Sequence, residues 1–107
     1  MLSKKNRVNT KEVGTIFKEG KFLVFPHLTF RYFKNNDKEI KISFIAPKNV
    51  AKLAVKRNLL RRRGYSALEK HINQFPPGIT GVFIFKKYQD DTLILSNEIK
   101  TILAKIN

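Results

Sequence analysis

At 107 residues the chain fits one domain, 1–107, with room for a real core but not for separate binding and catalytic domains. A hydrophobic content of 42% with nine Phe excludes wholesale disorder, and 22 Lys and Arg against eight Asp and Glu leave a formal charge of +14, which points to a polyanionic partner and to nucleic acid first. The absence of Cys excludes disulfides and thiolate zinc sites, His27 and His71 lie too far apart for a local metal motif, and no run approaches the roughly 18 apolar residues of a membrane span.

In chain order, MLSKKNR is charged where a signal peptide turns apolar, so a cytoplasmic protein with no membrane association is expected. NTKEVGTIFKEG reads as a short helix: Asn9 or Thr10 caps it, Glu12 sits in its first turn, Val13, Ile16 and Phe17 follow at i, i+3 and i+4, and Gly20 stops it. A short strand is expected at 21–24. HLTFRYF then alternates, with Leu28, Phe30 and Tyr32 on one face and Thr29, Arg31 and Phe33 on the other. KNNDKE at 34–39 supplies turn residues and IKISFIA resumes the alternation, which predicts an antiparallel hairpin. Beyond Pro47 the Pro-free run 50–71 predicts a long helix, weakened only at Gly64. After Pro76, Pro77 and Gly78 comes GVFIF, a buried strand by its unbroken apolar character. The last helix places Leu95, Ile99, Ile102, Leu103 and Ile106 on one face, with Asp90, Asp91 and Thr92 at its start.

The segment AVKRNLLRRRGY, residues 54–65, holds five cations in twelve positions and no acid. At about 100° per residue, Arg57, Asn58, Arg61, Arg62 and Tyr65 share an arc of roughly 140°, while Leu59, Leu60 and Ala67 lie opposite; Lys56 and Arg63 fit neither side. An ordinary solvated face mixes signs, because i,i+4 opposite charges stabilise a helix by about 0.2–0.5 kcal/mol and like charges cost as much. Here no acid occurs between Glu39 and Glu69, while Lys41, Lys48, Lys52, Lys56, Arg57, Arg61, Arg62 and Arg63 accumulate. A bound phosphate backbone relieves that repulsion, and Arg suits bidentate phosphate contact.

The run Ala54, Val55, Lys56, Arg57, Asn58, Leu59, Leu60, Arg61, Arg62 resembles the signature helix of the protein subunit of bacterial ribonuclease P, Ala-Val-x-Arg-Asn followed by spaced pairs of basic residues. KKNRV near the N-terminus, FKEGK at 17–21, the strand with Phe30, the strand end before Lys48 and GVFIFKK stand in the family's order as well, so nearly the whole chain is covered. The resemblance implies an α/β two-layer sandwich of order α-β-β-β-α-β-α, with a mixed four-stranded sheet, like the second domain of a small-subunit ribosomal protein. It also implies a left-handed crossover through the basic helix, against the general right-handed preference.

By the same resemblance the catalytic subunit is an RNA that holds the Mg2+ ions and removes the 5′ leader of precursor tRNA. The protein, a monomer outside the complex, binds ribonuclease P RNA and the leader. Carried over, the RNA-binding residues are Lys48, Lys52, Arg57, Asn58, Arg61 and Arg62, and the leader-binding residues are Phe17, Thr29, Arg31 and Phe33; no catalytic or metal-ligating residue is implied in the protein. For Phe17 a plain core position is the competing reading. The chain departs from the family pattern at Leu59, commonly basic, at Val13, often aromatic, at Tyr65 and Ser66, where a basic residue and an acid are usual, and by one extra residue within 48–57.

A protein-only reading finds no Ser-His-Asp spacing and no paired carboxylates, though a small basic endoribonuclease could draw on His71, Tyr65 and Arg62. A ribosomal or DNA-binding module, with the basic helix in a groove, is the second alternative.

Overall fold

The computed structural model describes residues 7–35 and 38–106. The elements follow one another as α1 (Thr10–Glu19), β1 (Lys21–Val24), β2 (Leu28–Lys34), β3 (Lys41–Ile45), α2 (Ala54–Glu69), a 3-10 turn (Ile72–Gln74), β4 (Ile79–Phe85) and α3 (Thr92–Ile106). Asn36 and Asp37 of the expected turn, and most of the KKNRV segment, lie outside the described residues.

The four strands form one mixed sheet in the order β1-β2-β4-β3; β1–β2 and β2–β4 pair antiparallel, and β3–β4 pair parallel. The expected hairpin is therefore corrected: β2 and β3 run in opposite directions, but β4 is inserted between them. Turn chemistry at 34–39 reverses the chain without deciding which strand becomes its neighbour. What selects β4 for the centre is its composition, since Ile79–Phe85 is buried almost throughout, on both faces, and an edge strand could not be.

On one face, alternation brings Phe30 of β2, Phe83 of β4 and Phe44 of β3 side by side through the registers Phe30↔Phe83 and Phe44↔Phe83. Their rings stack at 4.4 Å and 4.9 Å between centroids. Over this row lie Leu60, Ala67 and Leu68 of α2 and Leu95, Ile99 and Ile102 of α3, which complete the main core. Ile16 of α1 and Val82 of β4 are fully buried yet outside that core, which puts α1 across the opposite face of the sheet. Asn9, not Thr10, caps α1, in a reciprocal pair where its side chain accepts from Glu12 N and Glu12 accepts from Asn9 N.

The basic helix is shorter than the sequence predicts, 54–69 rather than 50–71. At its start Val50 N and Ala51 N turn back to the Pro47 carbonyl, and the Arg57 guanidinium donates to the carbonyls of Ala51 and Lys52 at 3.0 and 2.7 Å, the acceptors that an earlier start would have used. Gly64 turns out to be no weak point. A Cβ there would stand 2.5 Å from the Phe44 ring, so the absent side chain is what lets α2 approach β3.

His27 has a structural role. The Glu98 carboxylate, 9% exposed, accepts from His27 N and Leu28 N at 3.0 and 3.2 Å and meets His27 Nδ1 at 2.5 Å, tying the β1–β2 turn to α3. Glu98→Ala leaves two amides without this acceptor, and a loss of about 2–3 kcal/mol of stability is expected; a urea melt read by far-UV circular dichroism measures it.

Candidate nucleic-acid interface

Two separate surfaces carry the residues singled out in the sequence. The first is the leading half of α2. No residue of this helix before Leu60 is buried, and Gly64, Tyr65, Ala67 and Leu68 follow it into the interior, so the first turn and a half stands clear of the core. Lys48, Lys52, Lys56, Asn58, Arg62 and Arg63 are exposed, and Arg57 and Arg61 are half-buried. None of these seven cations pairs with a carboxylate among the described residues.

This arrangement corrects the single-stripe picture in two respects. Tyr65 shares the arc with the arginines but is 8% exposed; its ring packs edge-on against Phe44, its hydroxyl accepts from Phe44 N on edge strand β3 at 3.2 Å, and the Arg7 guanidinium lies 4.8 Å above it. Lys56 and Arg63, which the wheel left unplaced, are exposed, so the cations are not confined to one stripe. Within the set, Arg57 is committed to the lead-in carbonyls and Arg61 donates to the Asn58 side-chain oxygen, whereas Arg62, Lys48 and Lys52 are exposed with no carboxylate partner among the described residues.

The second surface is the sheet face beside α1. Thr29, Arg31 and Phe33 all point to it, opposite Ile84, Val82 and Thr80 of β4. Phe17 of α1 is 45% exposed and is not a core residue. The Arg31 guanidinium lies 4.8 Å from the Phe17 ring centroid and 5.5 Å from that of Phe22, the residue registered against it on β1. Phe22 is 60% exposed and Val24, opposite Thr29, is 55% exposed, so β1 forms a further apolar wall of this cleft. Sequence reasoning missed both, although the alternation in KFLV carries the signal: Phe22 and Val24 share one face and Leu23 the other.

The alternative constellation of His71, Tyr65 and Arg62 does not come together as a reactive site. His71 Nε2 is engaged with Ser96 Oγ of α3 at 2.7 Å, and the Tyr65 hydroxyl is held inside by Phe44 N. Among the described residues no group of three or more His, Asp or Glu could hold a metal ion, and no helix is long and apolar enough to cross a membrane.

The model of the family Ribonuclease P matches residues 2–107. The chain belongs to the ribonuclease P protein family. Solved structures agree on the fold. The ribonuclease P protein from Thermotoga maritima superposes with a TM-score of 0.83 at 21% identity, over 94% of this chain and 97% of that one. The protein from Staphylococcus aureus gives 0.79 at 17% identity, over 95% of each. Comparison with curated protein sequences returns no match. As a ribonuclease P protein, the chain is the RNA-binding subunit of a ribonucleoprotein endoribonuclease that processes tRNA, and its partner is ribonuclease P RNA. The departures at Leu59 and Tyr65 also find a place in this fold: Leu59 is half-buried and Tyr65 belongs to the core.

Proposed function

We propose that this ribonuclease P protein divides its work between the two surfaces. The basic helix α2 and the segment leading into it, through Lys48, Lys52, Arg57, Asn58, Arg61 and Arg62, hold ribonuclease P RNA, and the cleft of Phe17, Thr29, Arg31 and Phe33, widened by Phe22, holds the 5′ leader of precursor tRNA. The observation that carries the reading is the pairing of two exposed Phe rings about one guanidinium on the sheet face beside α1. Exposed aromatics cost stability in water and serve as stacking platforms for unpaired bases, at about 1–3 kcal/mol per base. A guanidinium between them stacks equally well and reaches the phosphates.

The phosphodiester chemistry belongs to the RNA subunit, which holds the Mg2+ ions. The protein acts in the cytoplasm and is a monomer outside the complex. Its own contribution is positional: it neutralises backbone phosphates of the partner RNA and fixes the leader.

Purified protein with magnesium should leave precursor tRNA uncut, and adding ribonuclease P RNA should restore cleavage at low salt. Phe17→Ala should leave assembly with the RNA unchanged while weakening precursor binding to the assembled complex about tenfold, an effect absent with mature tRNA. Equal losses in assembly and precursor binding would refute the division into two surfaces.

A further inference from the structure

The segment leading into α1 passes the edge of the sheet at β3. Val8 N donates to Ser43 Oγ at 2.8 Å on the face beside α1, and the residue before it carries its side chain to the α2 side, where the Arg7 guanidinium lies 4.8 Å over the Tyr65 ring. Tyr65 is the buried member of the arc that holds Arg57, Asn58, Arg61 and Arg62, and Arg61 and Arg62 stand one turn before it. Arg7 therefore places a cation at the point of the arc where the helix itself supplies none.

A ring occupies the face of a guanidinium and leaves its edge, where the N–H groups lie, open to other partners. Arg7 Nε is buried without an acceptor, and the group pairs with no carboxylate among the described residues. Glu69, one turn beyond Tyr65, is the only acid of α2, and it forms no ion pair with Arg7. The stack on Tyr65 leaves the charge of Arg7 in place, so it adds to the repulsion among the helix cations, which a phosphate from outside relieves. We infer that Arg7 is a further contact for ribonuclease P RNA, held on Tyr65 so that its terminal nitrogens meet a phosphate next to those that Arg61 and Arg62 engage. This inference rests on the reading of α2 as the RNA-holding helix and extends the interface to a residue outside that helix, fixed to it by a ring rather than by the chain.

The test measures the Kd of the full chain for ribonuclease P RNA across a salt series, with a urea melt of each free protein beside it. Arg7→Gln weakens binding about five- to tenfold and lowers the slope of log K against log salt by about 0.7–0.9, the share of one phosphate contact. Arg7→Lys keeps the charge and keeps the slope. An unchanged Kd for Arg7→Gln overturns the contact, and so does a weaker Kd with the slope retained and the melt shifted, since Arg7 then only packs on Tyr65. Arg61→Glu with Arg62→Glu separates the two readings: if that pair abolishes binding while Arg7→Gln changes nothing, α2 holds the RNA and Arg7 does not; if the pair leaves binding intact, the reading of α2 fails and the inference falls with it.

Discussion

Replacing Arg61 and Arg62 together by Glu should abolish assembly with ribonuclease P RNA at physiological salt, lowering affinity by roughly 100-fold or more. Each guanidinium lost from a charge-assisted phosphate contact costs about 1–3 kcal/mol, and each carboxylate placed against phosphate adds repulsion. Arg62 is exposed and the Arg61 guanidinium bonds, among the described residues, to Asn58 of its own helix, so neither supports the core and the far-UV spectrum should be unchanged. The residual binding should also be less sensitive to salt, with the slope of log K reduced by about 1 to 2. Filter binding over a salt series reads both quantities. If affinity is lost but the slope is retained, the arginines shape the protein rather than touch the RNA.

The second large effect concerns stability and runs against helix propensity. Gly64→Ala in an exposed helix would gain about 1 kcal/mol; in α2 the new methyl meets the Phe44 ring at 2.5 Å. That ring cannot step aside, since it is stacked on Phe83 at 4.9 Å and held edge-on by Tyr65 at 5.1 Å. The helix must lift away from β3, which opens the Tyr65 hydroxyl bond to Phe44 N as well. A net loss of about 2–3 kcal/mol is expected, or a fall in Tm of roughly 10–20 °C at about 4–8 °C per kcal/mol, measurable by thermal denaturation. Because α2 carries the RNA-binding cations, the same variant should weaken assembly even at temperatures where it remains folded. A stabilised Gly64→Ala protein would show that α2 does not sit this close to the sheet.

These two substitutions mark where the sequence was sufficient and where it was not. The acid-free interval from 40 to 68 states the need for a polyanion whatever the fold, because charge is a property of composition and a long one-sign run has no local means of neutralising itself. Helix and strand periodicities placed α1, β2, β3 and α3, since a period of 3.6 or 2 is imprinted on the chain by the solvent boundary. The order Ala54, Val55, Lys56, Arg57, Asn58 was specific enough to point to the family before any coordinate was known.

Long-range geometry decided the rest. Which strand lies beside β2 depends on burial of β4 from both faces, and that needs α1 on the far side, a contact no local pattern encodes. A helical wheel treats all turns of α2 alike, whereas burial begins only at Leu60; Tyr65 goes inside against Phe44 while Arg61, one turn earlier, stays half-exposed. Phe17 was ambiguous for the same reason, because one apolar residue in an amphipathic helix serves equally as core or as the wall of a cleft, and only the position of Arg31 across from it settles that it stands open to solvent. Charge and periodicity are written residue by residue, whereas adjacency and exposure arise from surfaces that meet only after the chain has closed on itself.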